Sequence, residues 1–387
     1  MWPDRRLIDL FKIEHPVVLA PMAGFSTPKL AASVCSAGGL GSIGCAMMPP
    51  ELAAKTIREL RALTDKPINV NFSCHIPAKA DADRERAWTD RLLPFYRELG
   101  VDDQEPRHPR LDMAPFGDAM CTVVERTRPE VVSFHFGLPD PALLGRVKAA
   151  GCRVMSSATT VAEALWLEAH GVDAVIAQGY EAGGHRGMFL APNSHEAIAS
   201  QPGALALIPQ VVDAVRVPVV AAGGIADGRG IVAAFALGAA GVQLGTAYLL
   251  CPEAATPLLH RDALRQAPAD ATLLTNVFTG RPARVLANRL VLEVGPVSDR
   301  PPDFPLPLGA LAPLRAKAEQ QDSSDFTPLW SGQAARLGRE MSAAALTRKL
   351  AHEAREQFKQ LYGGPMNRSS APIKEGVLGD LEPEAHG

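Results

Sequence analysis

The chain lacks any apolar run near the roughly 18 residues that a membrane span needs, so a spanning protein is not expected. It lacks a CxxC pair as well: Cys35, Cys45, Cys74, Cys121, Cys152 and Cys251 are scattered along its length. A protein of this size does not need a disulfide framework, which points to reduced thiols, a cytoplasmic location and no structural zinc. Neither sign of charge dominates, with 39 Lys and Arg against 42 Asp and Glu. A net charge of -3 gives no electrostatic reason to expect nucleic acid or an anionic membrane as partner. The opening MWPDRRLIDLFKIEHPVV carries Arg5 and Arg6 but neither an apolar h-region nor a small-residue cleavage site, so no export signal is expected. Small polar ligands remain as the default class.

What is present is enough for a substantial core: 387 residues, 47% hydrophobic, with 33 Gly and 33 Pro. Eight short apolar runs (PVVLAPMAG, GLGSIG, PINVNF, VVSFHFG, CRVMSSA, DAVIAQG, VPVVAAGG and GVQLGT) carry Gly, Asn, Gln or Ser at or next to their ends, and stretches of helical spacing separate them. Their near-continuous apolar character fits parallel strands buried on both faces. The intervening helices have readable ends: prolines open PPELAAKTIRELRALTDKP, a Thr cap and Gly171 bound TTVAEALWLEAHG, and Asp227 and Gly238 bound the helix after AAGG. Eight strands alternating with helices predict an α/β fold, a (β/α)8 TIM barrel over residues 1–250, with its site at the C-terminal strand ends.

Two segments interrupt the alternation. Residues 73–130 form a long insert with a charged helix-like stretch, whose DADRERAW run reads as a solvated face, and a Pro-rich loop. Residues 251–330 read as a smaller, mainly helical cap near the C-terminus, and about 331–362, from near Gln333, as a final helix packing back on the barrel. The polar tail 363–387 reads as loosely ordered.

The strand ends supply the candidate site. Gly223 and Gly224 close AAGG, and Gln243, Leu244, Gly245 and Thr246 form QLGT, at the two strands after which barrels of this type most often hold phosphate. The alternative is that these glycines only make tight turns. Pro21, Met22 and Ala23 after the first strand, with Asn71 and Gln178 at other strand ends, suit a flat ring with a polar edge. His185 follows the sixth strand in a loop that Gly183 and Gly184 free to bend, placing it to abstract a proton or hold a negative charge. A loop histidine bonded only to backbone is the plainer reading. His135 shares a strand face with Ser133 and either fills the barrel interior or meets the ring, His75 reads as a loop residue at the mouth, and Glu181 and Arg186 pair locally or bind substrate.

At APMAG, NVNFSCHIP, AQGYEAGGHRG, VPVVAAGGIADG and VQLGTAYL the chain resembles the nitronate monooxygenase family, formerly 2-nitropropane dioxygenases, which are FMN enzymes on a TIM barrel. TNVFTGRPARVLANRL and LWSGQ match the family's C-terminal pattern. The resemblance implies FMN contacts at Asn71, Gln178, Gly183, Gly224 and Gln243 to Thr246, and His185 as catalytic base. It implies oxidation of an alkyl nitronate, propionate 3-nitronate for example, by O2 to a carbonyl compound and nitrite, with neither metal nor nicotinamide. Arg186 would be the partner of a substrate carboxylate. A homodimer is left open. Better-studied members line the pocket with tyrosines from the later part of the chain, whereas this one has four in all: Tyr96, Tyr180, Tyr248 and Tyr362. Two other readings stand beside this one: an FMN-dependent NAD(P)H enoyl-acyl-carrier-protein or quinone reductase, and a non-catalytic flavin-binding barrel. An IMP dehydrogenase-like reaction would need a nucleophilic Cys where the sixth loop has His185.

Overall fold

The computed structural model describes residues 2–79, 81–102, 113–191 and 196–362. Eight parallel strands form one sheet: β1 (Val17–Leu19), β2 (Gly41–Gly44), β3 (Ile68–Ser73), β4 (Val131–His135), β5 (Arg153–Ala158), β6 (Ala174–Gln178), β8 (Val219–Ala222) and β9 (Gly241–Leu244). The short β7 (Gly184–His185) interrupts the numbering because it joins another sheet. The order is β1-β9-β8-β6-β5-β4-β3-β2, and a bridge between Val18 and Leu40 brings β1 against the chain entering β2, closing the barrel. Nearly every strand residue is buried, as expected where helices cover one face and packed side chains fill the other.

Local chemistry sets the helices as expected. Thr160 accepts from the Glu163 amide, and Asp227 from the amides of Arg229 and Gly230. Gly171 and Gly238 follow the two helices with φ of 87° and 91°. Each such cap contributes about 0.5–2 kcal/mol.

The cap is more than a C-terminal appendage. Its helices, Leu258–Gln266, Arg289–Val294 and Pro307–Glu319, flank an antiparallel pair, β10 (Thr272–Thr275) and β11 (Ala283–Leu286). The insert supplies a further helix, Ala82–Leu99, capped by Asp81. Its Trp88, Leu92 and Phe95 share a core with Phe278, Leu290, Leu311, Leu314 and Phe326. The DADRERAW run therefore has one face in solvent while its Trp88 is 1% exposed. The other half of the insert, helix Asp118–Thr127, puts Cys121 and Val124 into the core between the strands and the outer helices.

The final helix corrects an expectation: it runs Ala343–Tyr362 and does not begin near Gln333. The Gly332 amide donates to Thr246 Oγ1 at 2.9 Å and the Gln333 amide to the Glu181 carbonyl at 3.0 Å, which ties this segment to the barrel mouth. The helix starts where the Glu253 carboxylate accepts from the Ala343 amide, 3.1 Å from each oxygen. The 363–387 tail and residues 103–112 of the Pro-rich loop lie outside the described residues. No helix among the described residues is long and apolar enough to cross a membrane.

Candidate active site

A cavity of about 480 Å³ opens where the barrel strands end. Pro21, Met22, Ala23, Asn71, Gln178, Gly183, Gly184, His185, Gly223, Gly224, Gln243, Gly245 and Thr246 all line it. Leu244 does not, which corrects its inclusion. Side chains alternate along a strand, so Gln243 faces the cavity while Val242 and Leu244 join the core outside the barrel.

Several wall atoms are already committed. Asn71 Nδ2 donates to the Ser133 carbonyl at 3.1 Å and to its Oγ at 3.0 Å. The Gln178 amide is used at both ends: Nε2 donates to the His185 carbonyl at 3.0 Å and Oε1 accepts from the Gly187 amide at 2.8 Å. Gln178 thus holds the loop that carries His185. By contrast Gln243 Oε1 is buried without a partner. Gly223 and Gly224 have φ of 105° and 72°, and a Cβ on Gly223 would lie 2.9 Å from the Ala182 amide nitrogen, so the chain can turn here only without side chains.

His185 is not on a free loop. With Gly184 it forms β7, which pairs antiparallel with Ala283 and Arg284 of β11, so the cap fixes its backbone. A Cβ on Gly183 would come within 2.5 Å of the Gly332 amide nitrogen, so the absent side chain allows close packing of the two segments. The half-buried ring has Nε2 2.9 Å from Thr279 Oγ1 and lies among Phe136, Phe304 and Trp330, with centroids 5.9, 5.4 and 5.2 Å away. Burial, with help from His135 and Arg281, pushes His185 down to about 3, so the imidazole is neutral near pH 7.

His135 lines the cavity, pairs Nδ1 with Ser157 Oγ at 3.1 Å and bonds the His185 backbone; burial drives it down to about 4. His75 is buried beside Ser73 Oγ and edge-on to Phe304. Arg186 departs from both expectations, because it neither pairs with Glu181 nor lines the cavity. It is 0% exposed, donates to the carbonyls of Gln178 and Gly179 and to Gln201 Oε1, and so braces the turn after β6. Glu181 instead caps helix Ala204–Ala214 through the Ala204 amide.

Residues from the cap escaped sequence reading: Thr279, Phe304, Trp330, His260 and Arg281. The last stacks its guanidinium 4.1 Å above the Phe136 ring and donates to the Met188 carbonyl at 2.5 Å. Only the TGRPAR and LWSGQ stretches signalled Thr279, Arg281 and Trp330, without giving them roles. No cluster of metal-ligating side chains occurs among the described residues.

Comparison with known proteins agrees with this geometry. A family model described as nitronate monooxygenase matches residues 4–353. A nitronate monooxygenase of Pseudomonas aeruginosa is 45% identical over 352 residues, covering 90% of this chain and 99% of the relative. Among solved structures, a nitroalkane oxidase from Streptomyces ansochromogenes superposes with a TM-score of 0.83 at 39% identity, covering 92% of this chain and 99% of that one. FabK from Thermotoga maritima follows with a TM-score of 0.69 at 30% identity, covering 94% and 99%. The barrel, its cap and these similarities together place the chain in the nitronate monooxygenase family, as an oxidoreductase.

Proposed function

We propose that this enzyme oxidises alkyl nitronates with O2 and FMN to a carbonyl compound and nitrite; two nitronates and one O2 give two carbonyl compounds and two nitrites, each nitronate carbon gaining one oxygen atom. The observation that carries this reading is a neutral, anchored His185 on the wall of a cavity whose other side is glycine and unpaired amide. The wall suits FMN. Gln243 Oε1 needs a donor, which a flavin N–H or a ribityl hydroxyl supplies, and Gly223 and Gly224 offer backbone without side chains. Pro21, Met22, Ala23, Asn71, Gln178, Gly183, Gly184, Gly245 and Thr246 would border the group. FMN, when bound, supplies the redox chemistry that connects the nitronate to O2.

The protein's own part is positioning and proton handling. The neutral His185 has a lone pair with which to take the α-proton of a nitroalkane, or an N–H to hold an anionic nitro group. Thr279 fixes the ring through Nε2. Gln178 and His135 hold the backbone beneath it. Phe136, Phe304 and Trp330 exclude water around it, which strengthens every polar contact that remains.

The test is His185→Ala loaded with FMN. Flavin content should match the parent, while oxidation of neutral nitroalkanes should fall by about 100-fold or more and that of preformed nitronates by less. Equal losses of both, or none, would remove His185 from the base role.

A further inference from the structure

The part of the cavity that would hold the substrate's tail is apolar. Beside His185 the wall is made by Phe136, Phe304 and Trp330, and Met113 and Leu308 line the same cavity. Arg186, Arg281 and Arg284 do not line the cavity. Arg186 is buried with its donors on backbone carbonyls and Gln201, and Arg284, bonded to the Tyr180 carbonyl and Thr272, is buried off the cavity wall with its Nη2 unpartnered. Arg281 does not line the cavity; it lies over the Phe136 ring and bonds Met188. Among the described residues the wall carries one formal charge, Arg315, and its Nε is 2.7 Å from Glu319. The Arg315 charge is felt at His260, whereas the groups that act on His185 are His135, Arg281 and His75. The hydroxyls near His185 are engaged too, Thr279 with the ring itself and Ser157 with His135.

We propose, on the basis of the nitronate reading above, that the Phe136–Phe304–Trp330 cage selects nitronates with an uncharged aliphatic or aromatic tail and discriminates against a carboxylated one such as propionate 3-nitronate. The nitro group brings the one negative charge that the His185 N–H can meet. A carboxylate at the other end would lose its hydration against aromatic rings, and the one cation on the wall, Arg315, is already bonded to Glu319. Each buried methylene, in contrast, improves binding by about fourfold.

Two measurements on the FMN-loaded enzyme test this. The first is anaerobic flavin reduction by ethyl-, propyl- and butyl-1-nitronate and by propionate 3-nitronate. The rate constant over the apparent dissociation constant should rise about three- to fourfold per methylene, and the carboxylated substrate should fall about 100-fold below butyl-1-nitronate. The second, made on the FMN-loaded His185→Ala variant so that proton abstraction is suppressed, is calorimetric binding of 1-nitro-3-methylbutane against 3-nitropropionate, in which an isopropyl group stands in place of the carboxylate. The first compound should bind and the second should not compete with it. Equal or tighter binding of 3-nitropropionate, with propionate 3-nitronate the faster reductant, would overturn the apolar cage and leave the nitronate reaction standing. If no nitronate reduces the flavin, the reading beneath it fails instead.

Discussion

Replacing Gln178 by Leu separates two roles that the same position could have. If the amide serves chiefly to hold the 184–187 segment, its loss strips the His185 carbonyl of a 3.0 Å donor and the Gly187 amide of a 2.8 Å acceptor. Both groups are left buried or nearly so, and each unsatisfied group costs about 1–3 kcal/mol, together about 2–6 kcal/mol. The Leu side chain nearly conserves volume, so the penalty falls on the β7 segment rather than on the barrel. The segment retains its pairing with β11 and should shift rather than unfold. A displacement near 1 Å at a reacting group can cost about 100-fold in rate. Gln178→Leu should therefore lower kcat for nitroalkane oxidation by roughly 10- to 100-fold and retain its flavin, and a parallel Gln178→Glu should recover little, because it cannot donate to the His185 carbonyl. Flavin content by absorbance, followed by steady-state kinetics, decides the matter. Loss of flavin with an unchanged kcat in the reloaded fraction would refute a positioning role and make Gln178 a cofactor ligand.

Other perturbations have clear directions. Thr279→Val removes the Nε2 partner of His185 and should cost about 1 kcal/mol, near fivefold in kcat, with the visible spectrum of the loaded enzyme unchanged. Trp88→Ala empties a fully buried site that joins the insert to the cap and should destabilise by about 3–5 kcal/mol in urea unfolding. Gly228→Ala would place a Cβ 2.5 Å from Glu353 Cβ on the final helix and should cost about 1–3 kcal/mol, read as a lower Tm. Burial holds His185 near 3 and His135 and His260 near 4, all below the ordinary 6.5. Stability from these neutral rings is complete above about 6.5 and is lost as pH falls towards 4 for His135 and His260 and towards 3 for His185, because the unfolded chain takes up the protons first. Tm should fall steadily across that window, and kcat/KM should show no His185 limb near 6.5.

The barrel was legible because each strand is a short apolar run and each helix begins and ends on a residue with a physical reason to be there, such as Thr160, Asp227 or Gly171. The glycines and amides at the strand ends were legible for the same reason, since position at a strand end fixes position at the mouth. Leu244 was misplaced by taking QLGT as a block, where the alternation of a strand would have separated it from Gln243. Arg186 was misread because charge next to charge suggests a pair, yet a buried guanidinium can satisfy its donors on carbonyls eight residues or fewer away and on Gln201. Thr279, Phe304 and Trp330 could not be placed. They reach His185 only because the cap folds over the barrel and β11 pairs with β7, contacts that join residues about 100 or more positions apart. The insert posed the same difficulty: Trp88, Leu92 and Phe95 form a helical stripe, but their partners lie near 280–326.

The most direct test of the nitronate reading is anaerobic mixing of the FMN-loaded enzyme with butyl-1-nitronate and, separately, with NADH and NADPH, followed by admission of air. Bleaching of the flavin by the nitronate alone, with nitrite appearing once oxygen enters, is the expected result. Bleaching by NADH or NADPH with no response to the nitronate would contradict it and make the enzyme a nicotinamide-dependent reductase.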